Sequence, residues 1–202
     1  YFLAEIIFKN GNTFFYDLTL WIGSLWFAIV LYLILFILLI DLIRIINKRF
    51  HFLPKFIFNN YEKTKSITGI IVIVLTFIIV GYGFYNASNI KLKEINIYLP
   101  KKEAQKSEFA ILYFSDSHFT PVNNGRILNQ IIDISKRTKP DLILIGGDVI
   151  DDKSNHLIRY GIDTLLQKLN SKYGVFTCNG NHEFIVDINN ADKFLNKNKI
   201  KV

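Results

Sequence analysis

The 202-residue sequence contains no methionine, one cysteine, four prolines and two tryptophans. With Tyr1 in first place and no initiator residue, it reads as a piece of a longer chain. The single thiol, Cys178, has no internal partner, which excludes a small domain stapled by disulfides. Charge is also scarce. Asp, Glu, Lys and Arg make up 20% of the residues against 50% apolar ones, which excludes an intrinsically disordered tract. The net charge of +7 is unevenly spread: residues 1–106 hold 12 Lys/Arg against 6 Asp/Glu, and residues 107–202 hold 12 against 11. The basic excess thus flanks the apolar half, with no basic stripe on a folded domain, and no nucleic-acid partner is expected.

Two long uncharged runs are present. Residues 18–40 carry no charge over 23 positions, with Trp21 and Trp26 near the start. Residues 67–85 form a second run, closed by Tyr82 and Tyr85. About 20 apolar residues are needed to cross ~30 Å of hydrocarbon, and aromatic residues favour its borders. The second run is rich in β-branched residues, but it is too long for one strand and has no turn signal. Both runs are expected to be transmembrane helices, and neither has the small-residue cleavage site of a signal peptide. Residues 1–17 would end an upstream segment. Residues 41–66 would form a basic loop, with Arg44, Lys48, Arg49, Lys55, Lys63 and Lys65 against Asp41 and Glu62. Short basic loops stay in the cytoplasm, so everything after Tyr85 is expected on the extracytoplasmic side of a plasma or inner membrane. No charge lies within either run, which argues against a transport path.

Residues 86–107 read as a linker with one strand-like piece, where Ile90, Leu92, Ile95, Ile97 and Leu99 line up around polar residues before Pro100. The KKEAQK segment that follows reads as an exposed turn. From Phe109 onward, three apolar runs each end in polar residues: FAILYFSDSH, DLILIGGDVIDD and GVFTCNGNHE. Helical periodicity lies between them, first through Ile127, Leu128, Ile131, Ile132 and Ile134. It returns through Leu157, Ile158, Ile162, Leu165, Leu166 and Leu169. A third helix is expected over residues 189–198, and residues 200–202 open another strand. Alternating strands and helices indicate an α/β domain over residues 108–202, with a parallel sheet covered on both faces.

In open α/β sheets, chemistry gathers beyond the carboxyl ends of the strands. The first strand delivers Asp116 and His118 there, the second Asp148 and Asp151, the third Asn181 and His182. Carboxylate, imidazole and amide oxygen donors suit hard or borderline divalent metals. Each short motif alone is a commonplace turn. Three in order, each one βαβ unit apart, indicate a metal site.

These residues resemble the calcineurin-like metallophosphoesterases, whose pattern runs D-x-H, G-D-x-x-D and G-N-H-[DE]. The matching residues are Asp116-Ser117-His118, Gly147-Asp148-Val149-Ile150-Asp151 and Gly180-Asn181-His182-Glu183. PDLILIGGDVID and YGVFTCNGNHE also resemble the bacterial membrane-anchored branch, in which helices precede the enzyme domain. The resemblance implies a partial metallophosphoesterase α/β sandwich behind transmembrane helices. It implies a hydrolase holding two divalent ions (Mn, Fe or Zn), with Asp116 and His118 on the first, Asp148 bridging, and Asn181 on the second. His182 would sit near the leaving oxygen without binding metal, and Asp151 would orient its ring. The substrate would be a phosphomonoester, phosphodiester or pyrophosphate, either small or lipid-linked. The family's later G-H and G-H-x-H motifs do not follow Glu183, so the chain is expected to hold about half the ligand set. The alternative is a non-catalytic membrane protein with a phosphoesterase-like binding domain.

Other polar residues carry less. Glu183 is either a supporting acceptor or a helix-start carboxylate. Asp152 and Arg126 read as surface residues, His51 and His156 as ordinary, and Cys178 as a small core residue.

Overall fold

The computed structural model describes residues 13–98, 108–119, 125–151 and 153–202. Leu99, the KKEAQK segment and Asp152 lie outside the described residues. The chain divides into two compact units, Tyr1–Ala87 and Ser88–Val202.

The first unit consists of helices α1 (Thr13–Phe50), α2 (Lys55–Asn59) and α3 (Tyr61–Ala87). Both uncharged runs are therefore helical. Trp21–Phe50, 30 residues, and Tyr61–Ala87, 27 residues, are each long and apolar enough to cross a membrane. Trp21 meets Phe84 edge-on at 5.2 Å, so the start of α1 lies against the end of α3 and the two run antiparallel. Their outward side chains, such as Phe27 and Leu38, are exposed. A continuous apolar surface of this kind needs a cover that water does not provide.

The expected basic loop over residues 41–66 is mostly helix instead. Leu42, Ile45 and Ile46 carry the helical pattern past the uncharged run, and Lys48 and Arg49 sit in the last turn of α1, where the helix dipole favours cations. Asn47 ends the helix. Its carbonyl accepts the His51 amide at 2.8 Å and its side-chain oxygen the Leu53 amide at 2.8 Å. His51 adopts a left-handed backbone (φ 51°), and Pro54 follows.

The second unit orders β1 (Ile111–Phe114), α4 (Arg126–Thr138), β2 (Leu142–Ile145), α5 (Ser154–Arg159), α6 (Ile162–Leu166), β3 (Val175–Thr177), α7 (Asn181–Val186), α8 (Ile188–Lys197) and β4 (Ile200–Lys201). The strands form one parallel sheet in the order β1-β2-β3-β4. Register pairs Leu112 with Ile143, Ile143 with Val175, and Val175 with Ile200, so these four share a face. All four are buried, against Leu128, Ile131, Leu166 and Leu195 of the helices.

The opposite face departs from expectation. Ile111 and Tyr113 are exposed, and Leu142 and Leu144 only half-buried. Consecutive strand order advances every crossover the same way, and crossovers of one hand then leave all the helices on one side. The single helix expected between β2 and β3 is two, broken at Tyr160 and Gly161, whose φ of 70° leaves the helical region. The third expected helix is preceded by a further one, α7, which starts within the GNHE motif. The strand expected in the linker does not form among the described residues 90–98. Apolar residues spaced among polar ones do not make a strand without a neighbour to share its ladder. Ile90 instead donates its amide to Gln130 Oε1 at 3.1 Å, and Gln130 Nε2 donates to the Ser88 carbonyl at 2.7 Å.

Candidate metal centre

The turns after β1 and β2 run side by side beyond the sheet. Asp116 donates its amide to the Gly147 carbonyl (3.2 Å), His118 to Asp148 (3.0 Å) and Phe119 to Val149 (2.9 Å). A parallel bridge joins Phe119 and Ile150, both fully buried, which ties the pair of turns to the core. Within these turns Asp116 (φ 53°), His118 (φ 42°) and Asp148 (φ 49°) all lie in the left-handed region. Such a backbone costs a non-glycine residue on the order of 1–3 kcal/mol and persists only where its surroundings impose it. Here it aims side chains of alternate residues past the end of the sheet.

The third turn closes onto the second through two glycines. A Cβ on Gly147, whose φ is 88°, would lie 2.8 Å from the Gly180 nitrogen. A Cβ on Gly180 would lie 2.6 Å from both the Asp148 amide nitrogen and its carboxyl carbon. Only glycine fits at either position. Through this contact His182 donates its amide to Asp148 Oδ1 at 2.8 Å.

The convergence brings together ligand atoms of His118, Asp148 and His182, all within 4.8 Å of one another. The two imidazole rings meet edge to face at 4.3 Å. Asp151 lies between them, with Oδ1 2.5 Å from His182 Nδ1 and Oδ2 3.9 Å from His118 Nδ1. The hydrogen bond to Asp151 raises the pKa of His182 above its ordinary 6.5. Desolvation opposes it, and the negative charges of Asp151, Asp148 and Glu183 reinforce it. A carboxylate with two imidazoles matches the donor preferences of a borderline divalent ion, so this group can hold one.

The other sequence candidates are placed differently. Asp116 is exposed and stands outside the His118–Asp148–His182 group. Asn181 is exposed at the first position of α7. Arg126 is exposed at the start of α4, and Cys178 is exposed rather than in the core, because β3 ends at Thr177.

Glu183 is the residue that sequence reasoning undervalued. It is fully buried, and its carboxylate accepts four backbone amides: Asp148 (3.0 Å), Val149 (2.8 Å), Ile150 (3.2 Å) and Gly180 (2.8 Å). Its place three residues after Gly180 was the one available signal, since a Glu there also accepts the amide that opens α7.

The fold and site define an α/β domain that gathers side chains able to hold a metal ion at the carboxyl edge of a parallel sheet. Residues 109–201 match the model of the calcineurin-like phosphoesterases, and this part of the chain belongs to that family. An uncharacterised metallophosphoesterase of Helicobacter pylori is 29% identical over 67% of this chain and 36% of its own length. One from Aquifex aeolicus is 29% identical over 62% of this chain and 48% of its own. A zebrafish transmembrane protein with a metallophosphoesterase domain is 24% identical over 57% of this chain and 26% of its own. The chain thus spans less than half the length of these relatives. No solved structure matches it.

Proposed function

We propose that the chain belongs to a membrane-anchored, binuclear-metal phosphoesterase that hydrolyses a phosphomonoester, phosphodiester or pyrophosphate. The observation that carries this reading is the convergence of the His118, Asp148 and His182 side chains within 4.8 Å, which brings two proposed ligands and the proposed acid together at the ends of three adjacent strands. Asp116, His118, Asp148 and Asn181 would hold the ions. Divalent ions bound there would supply positive charge for the phosphoryl oxygens and lower the pKa of water.

The chain's own residues do the rest. Asp151 holds Nδ1 of His182, which fixes the tautomer and leaves Nε2 to face the departing oxygen. A carboxylate in that position favours the protonated ring, so His182 can deliver a proton to the leaving alkoxide. The His118–His182 ring contact and the His182 amide bond to Asp148 keep this acid beside the ligand group.

Helices α1 and α3 support a membrane anchor, as does the similarity to the zebrafish transmembrane protein. Arg44, Lys48, Arg49, Lys55, Lys63 and Lys65, at the adjoining ends of α1 and α3 and in α2, favour a cytoplasmic hairpin and an extracytoplasmic catalytic unit. Anchoring in turn favours a phosphorylated substrate of the envelope, including a lipid-linked one.

The test is hydrolysis of an aryl phosphodiester and an aryl phosphomonoester by the full-length protein, with EDTA or with added Mn²⁺, Fe²⁺ or Zn²⁺. Turnover that needs a divalent ion supports the reading. A folded protein that binds phosphate esters without turning them over favours a non-catalytic binding domain.

A further inference from the structure

We infer that Glu183 is a positioning residue of the metal centre: its buried carboxylate holds the Asp148 turn in the shape that aims the Asp148 carboxylate at the ligand group. The inference rests on the metal-centre reading above. It extends that reading to a residue that touches neither substrate nor metal.

Three consecutive amides, those of Asp148, Val149 and Ile150, point at one carboxylate. Such a run of N–H groups makes an anion-binding concavity, and here the anion is part of the chain. Val149 and Ile150 are fully buried, so these amides have no solvent to fall back on. Asp148 needs this support most, because its φ of 49° is one that only its surroundings maintain. The fourth amide, from Gly180, ties the same carboxylate to the third turn at 2.8 Å. The tie is returned one residue earlier, where the His182 amide binds Asp148 Oδ1. Asp148 and His182 thus take their relative placement from Glu183, and the ligand group is organised before any ion arrives.

A glutamine at this position keeps the size of the side chain and fails the chemistry. One end of its amide is a donor and would face either the Asp148 and Gly180 N–H groups or those of Val149 and Ile150. Loss of a supporting hydrogen bond of this kind weakens metal affinity about 10–100-fold.

The experiment is a calorimetric titration of the metal-free full-length protein with MnCl₂, for wild type, Glu183→Gln, Glu183→Asp and Leu195→Ala, with thermal unfolding followed in parallel. Leu195 is buried in α8 and stands for general destabilisation. Glu183→Gln should bind Mn²⁺ at least about tenfold more weakly. Glu183→Asp should recover part of the loss, and Leu195→Ala should lower the melting temperature with little change in affinity. Mn²⁺ affinity in Glu183→Gln within about twofold of wild type would overturn the inference, as would a loss no larger than that of an equally destabilised Leu195→Ala. If Glu183→Gln does not fold, hydrogen exchange of the wild type in EDTA decides. Protected Asp148, Val149, Ile150 and Gly180 amides support a pre-organised turn, and rapid exchange overturns it. A wild type that binds no Mn²⁺ would remove the metal-centre reading itself, a result distinct from wild-type binding that Glu183→Gln leaves intact.

Discussion

Asp148 and Glu183 are bonded to each other's turns in both directions. The Asp148 amide donates to Glu183 Oε2 at 3.0 Å, while the Asp148 carboxylate accepts the amide of His182, the residue before Glu183, at 2.8 Å. Two loops more than 30 residues apart in the chain are thereby fixed as one body, and His118 joins it through its own amide bond to the Asp148 carbonyl. The side chains that meet are rigid because their backbones are.

The contact between the glycines makes the first prediction. Gly180→Ala places a methyl group against the Asp148 backbone amide, which cannot swing away, and against its carboxylate, which the His182 amide holds in place. Such overpacking should destabilise the domain by about 1–3 kcal/mol. Denaturant unfolding together with Mn²⁺ titration checks it. Unchanged stability and unchanged binding would show that the second and third turns do not pack as described.

A second prediction concerns pH. In the metal-free protein the hydrogen bond to Asp151 raises the His182 pKa, so the protonated ring is favoured by folding. The stabilisation is complete below the unfolded value near 6.5 and is lost as pH rises through the higher folded value. Asp151→Asn removes the largest cause, so the His182 ring should titrate at lower pH. NMR of the ring protons measures this directly, and a midpoint unmoved by Asp151→Asn would contradict the pairing.

Much of this domain is legible in the sequence. The three strands are short apolar runs, and Asp116, Asp148 and His182 follow their ends at spacings set by one strand–helix repeat. Other features leave weaker marks. Glu183 binds only backbone amides, and any residue supplies those, so no complementary charge betrays its partner. Cys178 continues an apolar run and looks like core, yet the strand stops one residue earlier and the thiol is exposed. Ile90, Leu92, Ile95 and Ile97 stand among polar residues as in a strand, but such a pattern does not disclose whether a neighbouring ladder exists. The basic stretch after Ile40 looks like a loop because charge ends the apolar run, whereas lysine and arginine are good helix formers and α1 continues to Phe50.

The exposed thiol supplies a third prediction. Cys178 is exposed, so in a membrane-anchored protein its labelling would report the side on which the domain lies. A membrane-impermeant maleimide should label it on intact cells, and Cys178→Ser should remove the label from this position and leave phosphoesterase activity unchanged. Labelling that requires permeabilised cells would place the domain in the cytoplasm.

The most direct measurement is hydrolysis of an aryl phosphodiester and an aryl phosphomonoester by wild type, Asp148→Asn and His182→Ala side by side, using full-length protein with and without Mn²⁺. Activity should need the ion and fall at least about 100-fold in both variants, since Asp148 would hold the metal and His182 would serve the leaving oxygen. Metal-independent turnover, or variants as active as wild type, would contradict the proposed function.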